Sequence, residues 1–265
     1  MKKRNVFAAL VMLAAICIAG YSGLQIISFE RVYLECNAAY DALREQVKNH
    51  SSTDSLLRVQ PIDTGIRAIR MDESPVYVPL LEIDFEALRT INKDASVWLY
   101  CPDTAIDYPV MKANDYNYYL SHLPDGTQNA NGSLFIDYNC AADFSDPLTI
   151  IYGHCMKSGS MFGGLKGYKD QRFFNEHPYM YLYTQQGNYR IDLIYGCVIG
   201  AGQWRERAFM YAENVDTLIA YAAYNTTFES DTVYIKGDRV VVLSTCSYEF
   251  DDARYVVLGI LKGVD

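Results

Sequence analysis

The sequence has no C-x-x-C pair, and its four histidines, His50, His122, His154 and His177, are scattered along the chain. That absence excludes a zinc ribbon and a thioredoxin-like redox motif, and no cluster of His, Cys and carboxylates has ligand spacing, so neither a metal nor a cofactor is expected. Seven cysteines in 265 residues are too few and too dispersed for a disulfide scaffold, and their odd number leaves at least one thiol free. Positive charge is also short: 23 Lys and Arg stand against 32 Asp and Glu, a net charge of −9. A nucleic-acid binder would have to build its phosphate-neutralising stripe against that field, so nucleic acid is not expected as a partner. Internal repeats and low-complexity tracts are absent. With half of its residues apolar and a fifth charged, the chain has the means to bury a sizeable core.

One stretch lacks charge altogether. Between Asn5 and Phe29 there are 25 consecutive uncharged residues, and Val6 to Ile18 is almost purely aliphatic. A helix needs only about 20 apolar residues to span a bilayer. Lys2, Lys3 and Arg4 precede the stretch, so the positive-inside rule keeps the N-terminus in the cytoplasm and sends everything after Glu30 outside, in a single pass. A cleaved signal peptide and a lipoprotein signal compete with a retained anchor. Neither Cys17-Ile18-Ala19 nor Gly20-Tyr21-Ser22 makes a good A-x-A-like site, and Ile16 rather than a small residue precedes Cys17. The anchor fits best. It divides the chain into a basic stub and transmembrane anchor over 1–29, an extracellular helix and linker over 30–83, and a body over 84–265.

Residues 30–49 carry apolar side chains near helical spacing, and 50–80, with Pro61, Gly65, Pro75 and Pro79, read as a loose connector. Asp84 is a natural N-cap for a short helix over 84–92. From Val97 the texture becomes short runs rich in Val, Ile, Tyr and Leu, at 97–101, 107–111, 133–137, 147–153, 179–184, 188–200, 232–235, 239–245 and 254–261. Without alternating long helices, this spacing predicts a mainly β body, a closed antiparallel barrel or a sandwich. Residues 214–227 interrupt the strands with a helical pattern.

Cys246 ends the apolar run Arg239 to Thr245, and Arg254 opens the next one eight positions later. If the two runs pair as a hairpin, thiol and guanidinium share one end of the sheet, where a cation favours the thiolate or holds a carbonyl oxygen that gains charge. A thiol nucleophile also wants an imidazole. His154 ends the run Leu148 to Gly153 as Cys246 ends its own. His50 sits in the connector and His177 before Pro178, both as turn residues, while His122 is undecided. A papain-like order fails, because only 19 residues follow Cys246, and a caspase-like Q-A-C-x-G is replaced by Ser244-Thr245-Cys246-Ser247-Tyr248.

Leu243-Ser244-Thr245-Cys246, Arg254-Tyr255-Val256-Val257, and Tyr152-Gly153-His154 followed by Gly159-Ser160-Met161-Phe162 resemble the sortases, specifically class B. Ile106-Asp107-Tyr108-Pro109-Val110, Gly132 to Tyr138 and Phe173 to Tyr179 agree, and the similarity runs over about 84–263. The resemblance implies a closed sortase-type β-barrel with N-terminal helices and a helix inserted between the sixth and seventh strands. It also implies a membrane-anchored cysteine transpeptidase on the outside of a Gram-positive cell. In it, Cys246 would attack the Thr carbonyl of a C-terminal sorting motif on a secreted protein, and His154 would protonate the leaving amine. Arg254 would position the motif and stabilise the oxyanion, with Ser244 and Thr245 lining the groove. A peptidoglycan cross-bridge or stem-peptide amine would then resolve the thioester. A pilus-assembling sortase using a pilin lysine and a non-catalytic sortase-like binding protein are the alternatives. The segment 203–231, with Tyr221 and Tyr224, is expected to govern which peptide is accepted. Cys155 stands where the family more often has Asn, and Ser247 where some relatives carry a charge.

Overall fold

The computed structural model describes residues 2–49, 56–58, 77–79, 81–112, 114–204 and 214–264. Eight strands close into one barrel: β1 Ala95–Tyr100, β2 Asp107–Lys112, β3 Leu134–Ile136, β4 Leu148–Tyr152, β5 Tyr179–Thr184, β6 Gly187–Gly200, β7 Val240–Cys246 and β8 Ala253–Val264. Around the barrel the order is β6-β8-β7-β4-β3-β2-β1-β5, with β5 pairing back to β6. Six of the pairings are antiparallel, and β2–β3 and β4–β7 are parallel. Closure leaves no unpaired barrel edge. β7, Val-Val-Val-Leu-Ser-Thr-Cys, is buried along all but its last residue, as expected of a β-branched strand lying between two neighbours in a closed sheet.

Helix α1 runs unbroken over Lys2–Val47, so the membrane segment and the helix expected over 30–49 are one element. At 1.5 Å per residue its 46 residues reach about 69 Å. Its two ends have opposite characters. Met12, Leu13, Ile16, Leu24, Ile27 and Phe29 stand exposed, whereas Cys36, Tyr40, Leu43 and Val47 are buried in the same core as the barrel. Polar contacts seat that end: Tyr40 donates to the Gly132 carbonyl at 3.1 Å, and Lys48 pairs with Asp107, which also accepts from the Trp98 indole at 2.8 Å. Helix α2, Phe85–Ile91, follows, and Asp84 caps it by accepting from the Ala87 amide at 2.9 Å. Of the expected connector over 50–80, only 56–58 and 77–79 are described, and they pair antiparallel; the rest of that expectation, with His50, lies outside the described residues.

The inserted helix exists. After α3, Gln171–Glu176, and the short α4, Ala201–Trp204, α5 spans Val215–Tyr224 and buries Leu218, Ile219 and Ala222. Tyr224 is exposed, and 205–213 lie outside the described residues. The strand expected at 232–235 does not form. Its amides are taken locally, Thr232 by the Ser230 hydroxyl at 3.1 Å and Ile235 by the Asp238 carboxylate at 2.9 Å. Such side-chain acceptors compete with a ladder. The segment straps α5 instead, with Tyr234 donating to Asp216 at 2.9 Å and Lys236 pairing with the same carboxylate at 3.1 Å.

Candidate active site

The last pair of the β7–β8 register is Cys246 opposite Arg254. Directly opposed residues of an antiparallel pair share a face with Cβ atoms about 4.5–5.5 Å apart, so the expected hairpin forms and starts both side chains from the same end and face of the sheet. The Arg254 Nη1 donates to the Ala253 carbonyl at 3.0 Å. On the other side of β7, β4 runs parallel with Tyr152 opposite Ser244. Gly153 continues the contact, its amide donating to the Ser244 carbonyl at 3.2 Å and its carbonyl accepting from the Thr245 hydroxyl at 2.7 Å. His154 therefore leaves β4 at the level of Cys246. Its Nε2 lies 2.8 Å from the Leu120 carbonyl, an atom that only accepts, so that nitrogen carries a proton.

Gly153 has no room for a side chain. A Cβ there would sit 2.4 Å from Leu134 Cδ2 and 2.7 Å from Phe162 Cδ2. Gly153→Ala should lower stability by about 1–3 kcal/mol by overpacking. Turnover should fall with it, because His154 is the next residue; a denaturation midpoint and a rate measured together check both.

The other two described imidazoles are committed elsewhere. His122 stacks on Tyr118 at 4.0 Å with ring planes 3° apart, and its Nδ1 is 2.7 Å from the Tyr118 carbonyl. His177 closes α3. Of the two groove candidates, Thr245 is buried and walls the cavity beside Cys246. Ser244 is buried in β7, is not among the cavity's lining residues, and its hydroxyl has no partner among the described residues.

That cavity measures about 220 Å³ and is walled by Cys155, Lys166, Lys169, Thr245, Cys246, Ser247, Tyr248, Glu249 and Tyr255, with His154 and Arg254 outside its lining. Lys166, Lys169 and Glu249 escape a sequence reading. The lysines lie on the 3-10 helix Gly163–Lys169, and the pair Lys169 forms with Glu249 spans 80 positions of chain. Cys155 shares the cavity with Cys246. Burial pushes its thiol up, against the opposing pull of Lys166, which keeps it protonated at neutral pH. Burial also pushes Cys140 to about 11 and Cys197 to about 12, consistent with packed, inert thiols. Among the described residues no group of three or more His, Cys, Asp or Glu is placed to hold a metal ion.

A closed eight-stranded barrel with a helix inserted between β6 and β7, and a thiol at the end of β7, defines a sortase, a cysteine transpeptidase. No family model matches the chain. It is 33% identical over 176 residues to sortase B of Listeria monocytogenes, covering 65% of this chain and 71% of that protein. Among solved structures, one from Bacillus anthracis described as similar to sortase B shares 32% identity at a TM-score of 0.62, covering 68% of this chain and 83% of that one. A Staphylococcus aureus sortase B–substrate complex shares 25% identity at a TM-score of 0.63, covering 68% and 85%. The chain belongs to the class B sortases.

Proposed function

We propose that this sortase cleaves a C-terminal sorting motif after Thr through a thioester on Cys246 and passes the acyl group to a peptidoglycan amine. The observation that carries the reading is the register pair of Cys246 with Arg254, flanked across β7 by His154. Cys246 is the nucleophile. With its proton passed to His154, which becomes the imidazolium, its sulfur adds as thiolate to the Thr carbonyl carbon, and the carbonyl oxygen gains charge on the side of the Arg254 guanidinium. Collapse of that intermediate breaks the C–N bond, with His154 giving its proton to the departing amine. An incoming amine then adds to the thioester, loses a proton to the imidazole and displaces the thiolate. Thr245 walls the site, and the Staphylococcus aureus relative solved as a substrate complex supports a sorting-motif donor. The test is incubation of the protein with a panel of sorting-motif peptides and candidate wall amines, with products read by mass.

Arg254→Lys should lose most of the rate although it keeps the charge. A planar fork holds an oxygen in fixed geometry and a flexible ammonium does not, so a fall of roughly 10²–10³ in kcat is expected. A Lys variant within about threefold of wild type would reduce Arg254 to its charge.

The same reading places the body over 84–265 outside the cell, held by residues 1–29. α1 is the one described helix long and apolar enough to cross a membrane. Its apolar side chains from Met12 to Phe29 are left exposed by the described residues, as a lipid-facing segment would be. In protoplasts, added protease should digest residues beyond about 30, and the mature chain should retain Lys2, Lys3 and Arg4. An N-terminus near residue 20 would establish a cleaved signal instead.

A further inference from the structure

The turn between β7 and β8, residues 247–252, is tied down from outside the hairpin. Lys169, the last residue of its 3-10 helix, donates to the Ser247 hydroxyl at 3.0 Å and pairs with the Glu249 carboxylate. Ser247 in turn donates to Glu249, so one ammonium, one hydroxyl and one carboxylate close a triangle immediately after the nucleophile. The ammonium also lies 4.9 Å over the ring of Tyr255, next to Arg254 on β8. All four residues line the cavity that holds Cys246. A neutral tie would suffice merely to hold the turn. Here a carboxylate is kept beside a sulfur that has to become an anion, and the lysine is what balances it.

We propose that Lys169 is a positioning residue for the reaction: by pairing with Glu249 and holding Ser247, it gives Cys246 a fixed wall whose positive and negative charges cancel. The proposal rests on Cys246 as the nucleophile. Among the described residues, the charged and titratable groups around that sulfur are His154 and Cys155 after β4, Lys166 and Lys169 on the 3-10 helix, Tyr248 and Glu249 in the turn, and Arg254 and Tyr255 on β8. Burial alone would raise the Glu249 carboxyl, yet its bonds from Lys169 and Ser247 hold it below the usual range, so it is anionic wherever the thiolate forms.

Removing one partner exposes the other. Lys169→Met leaves a carboxylate facing the thiol, which disfavours the thiolate; Glu249→Gln leaves a free cation, which favours it. The experiment is the pH dependence of iodoacetamide alkylation of Cys246, followed by mass on the Cys246 peptide of the full-length chain, with kcat and KM for a sorting-motif peptide measured alongside. Lys169→Met should move the alkylation midpoint up by about one pH unit and Glu249→Gln should move it down, with the double variant returning near wild type. A purely structural tie predicts a different pattern, with both single variants slow in turnover and neither midpoint displaced, and that result, or shifts of the opposite sign, overturns the proposal. Should Lys169→Met fail to fold, Glu249→Gln decides alone: a downward shift supports the proposal, and no shift or an upward one refutes it. Because alkylation is read at Cys246 itself, the result does not depend on turnover, and Cys246→Ala tests the nucleophile separately.

Discussion

Cys246→Ala should abolish both peptide cleavage and transfer, with kcat falling on the order of 10⁴-fold or more, as when the nucleophile of a hydrolytic constellation is removed. No other cysteine is placed to substitute. Cys36, Cys101, Cys140 and Cys197 are buried in the core, and Cys17 lies in the exposed apolar part of α1. Cys155 is closest in setting, yet burial keeps its thiol protonated, and it follows His154 instead of facing Arg254 across a strand pair. Because Cys246 ends its strand and is only partly buried, its truncation should leave the denaturation midpoint nearly unchanged. Lost activity with retained stability separates a chemical role from a structural one. Turnover within about tenfold of wild type would move the nucleophile elsewhere.

His154→Ala should cost about 10³-fold in kcat, within the range for loss of a general acid. His122→Ala should cost no more than a few-fold. The contrast rests on what each ring does. His122 is stacked on Tyr118 and bonded to that residue's carbonyl, a packing role inside one turn. His154 carries its proton on Nε2 against the Leu120 carbonyl, beside the end of β7, where a leaving amine could collect it. Parallel rate measurements on the two variants, with peptide and amine held at saturating levels, check the contrast. An essential His122 would reverse the assignment.

The barrel was legible because its strands are built from β-branched and aromatic runs broken by turn residues. Seven of the strands lie within a residue or two of their expected bounds, and the eighth, β8, extends three residues past its expected end. The Cys246–Arg254 pairing also followed from local facts, two apolar runs and a short polar turn. What escaped depends on distant partners or on local competition. Residues 232–235 have strand-like composition, but Ser230 and Asp238 claim their amides and Asp216 claims Tyr234. Position after the strand end made His154 a candidate, yet its place beside Cys246 depends on a parallel β4–β7 pairing that no short-range pattern encodes. Ser244 shares the motif of the nucleophile but stays inside the wall of the barrel. Lys169 and Glu249 meet only because the 3-10 helix folds against the β7–β8 turn.

The most direct test of a Cys246 thioester is to mix the full-length protein with a sorting-motif peptide, quench in acid, and map the acyl group by mass, with a parallel reaction containing hydroxylamine. The acylated fragment should carry the motif through its Thr on Cys246 and nowhere else, and hydroxylamine should release the same fragment as a hydroxamate. An acyl group on another residue, or peptide cleavage with no acyl-enzyme and no hydroxamate, would contradict the account.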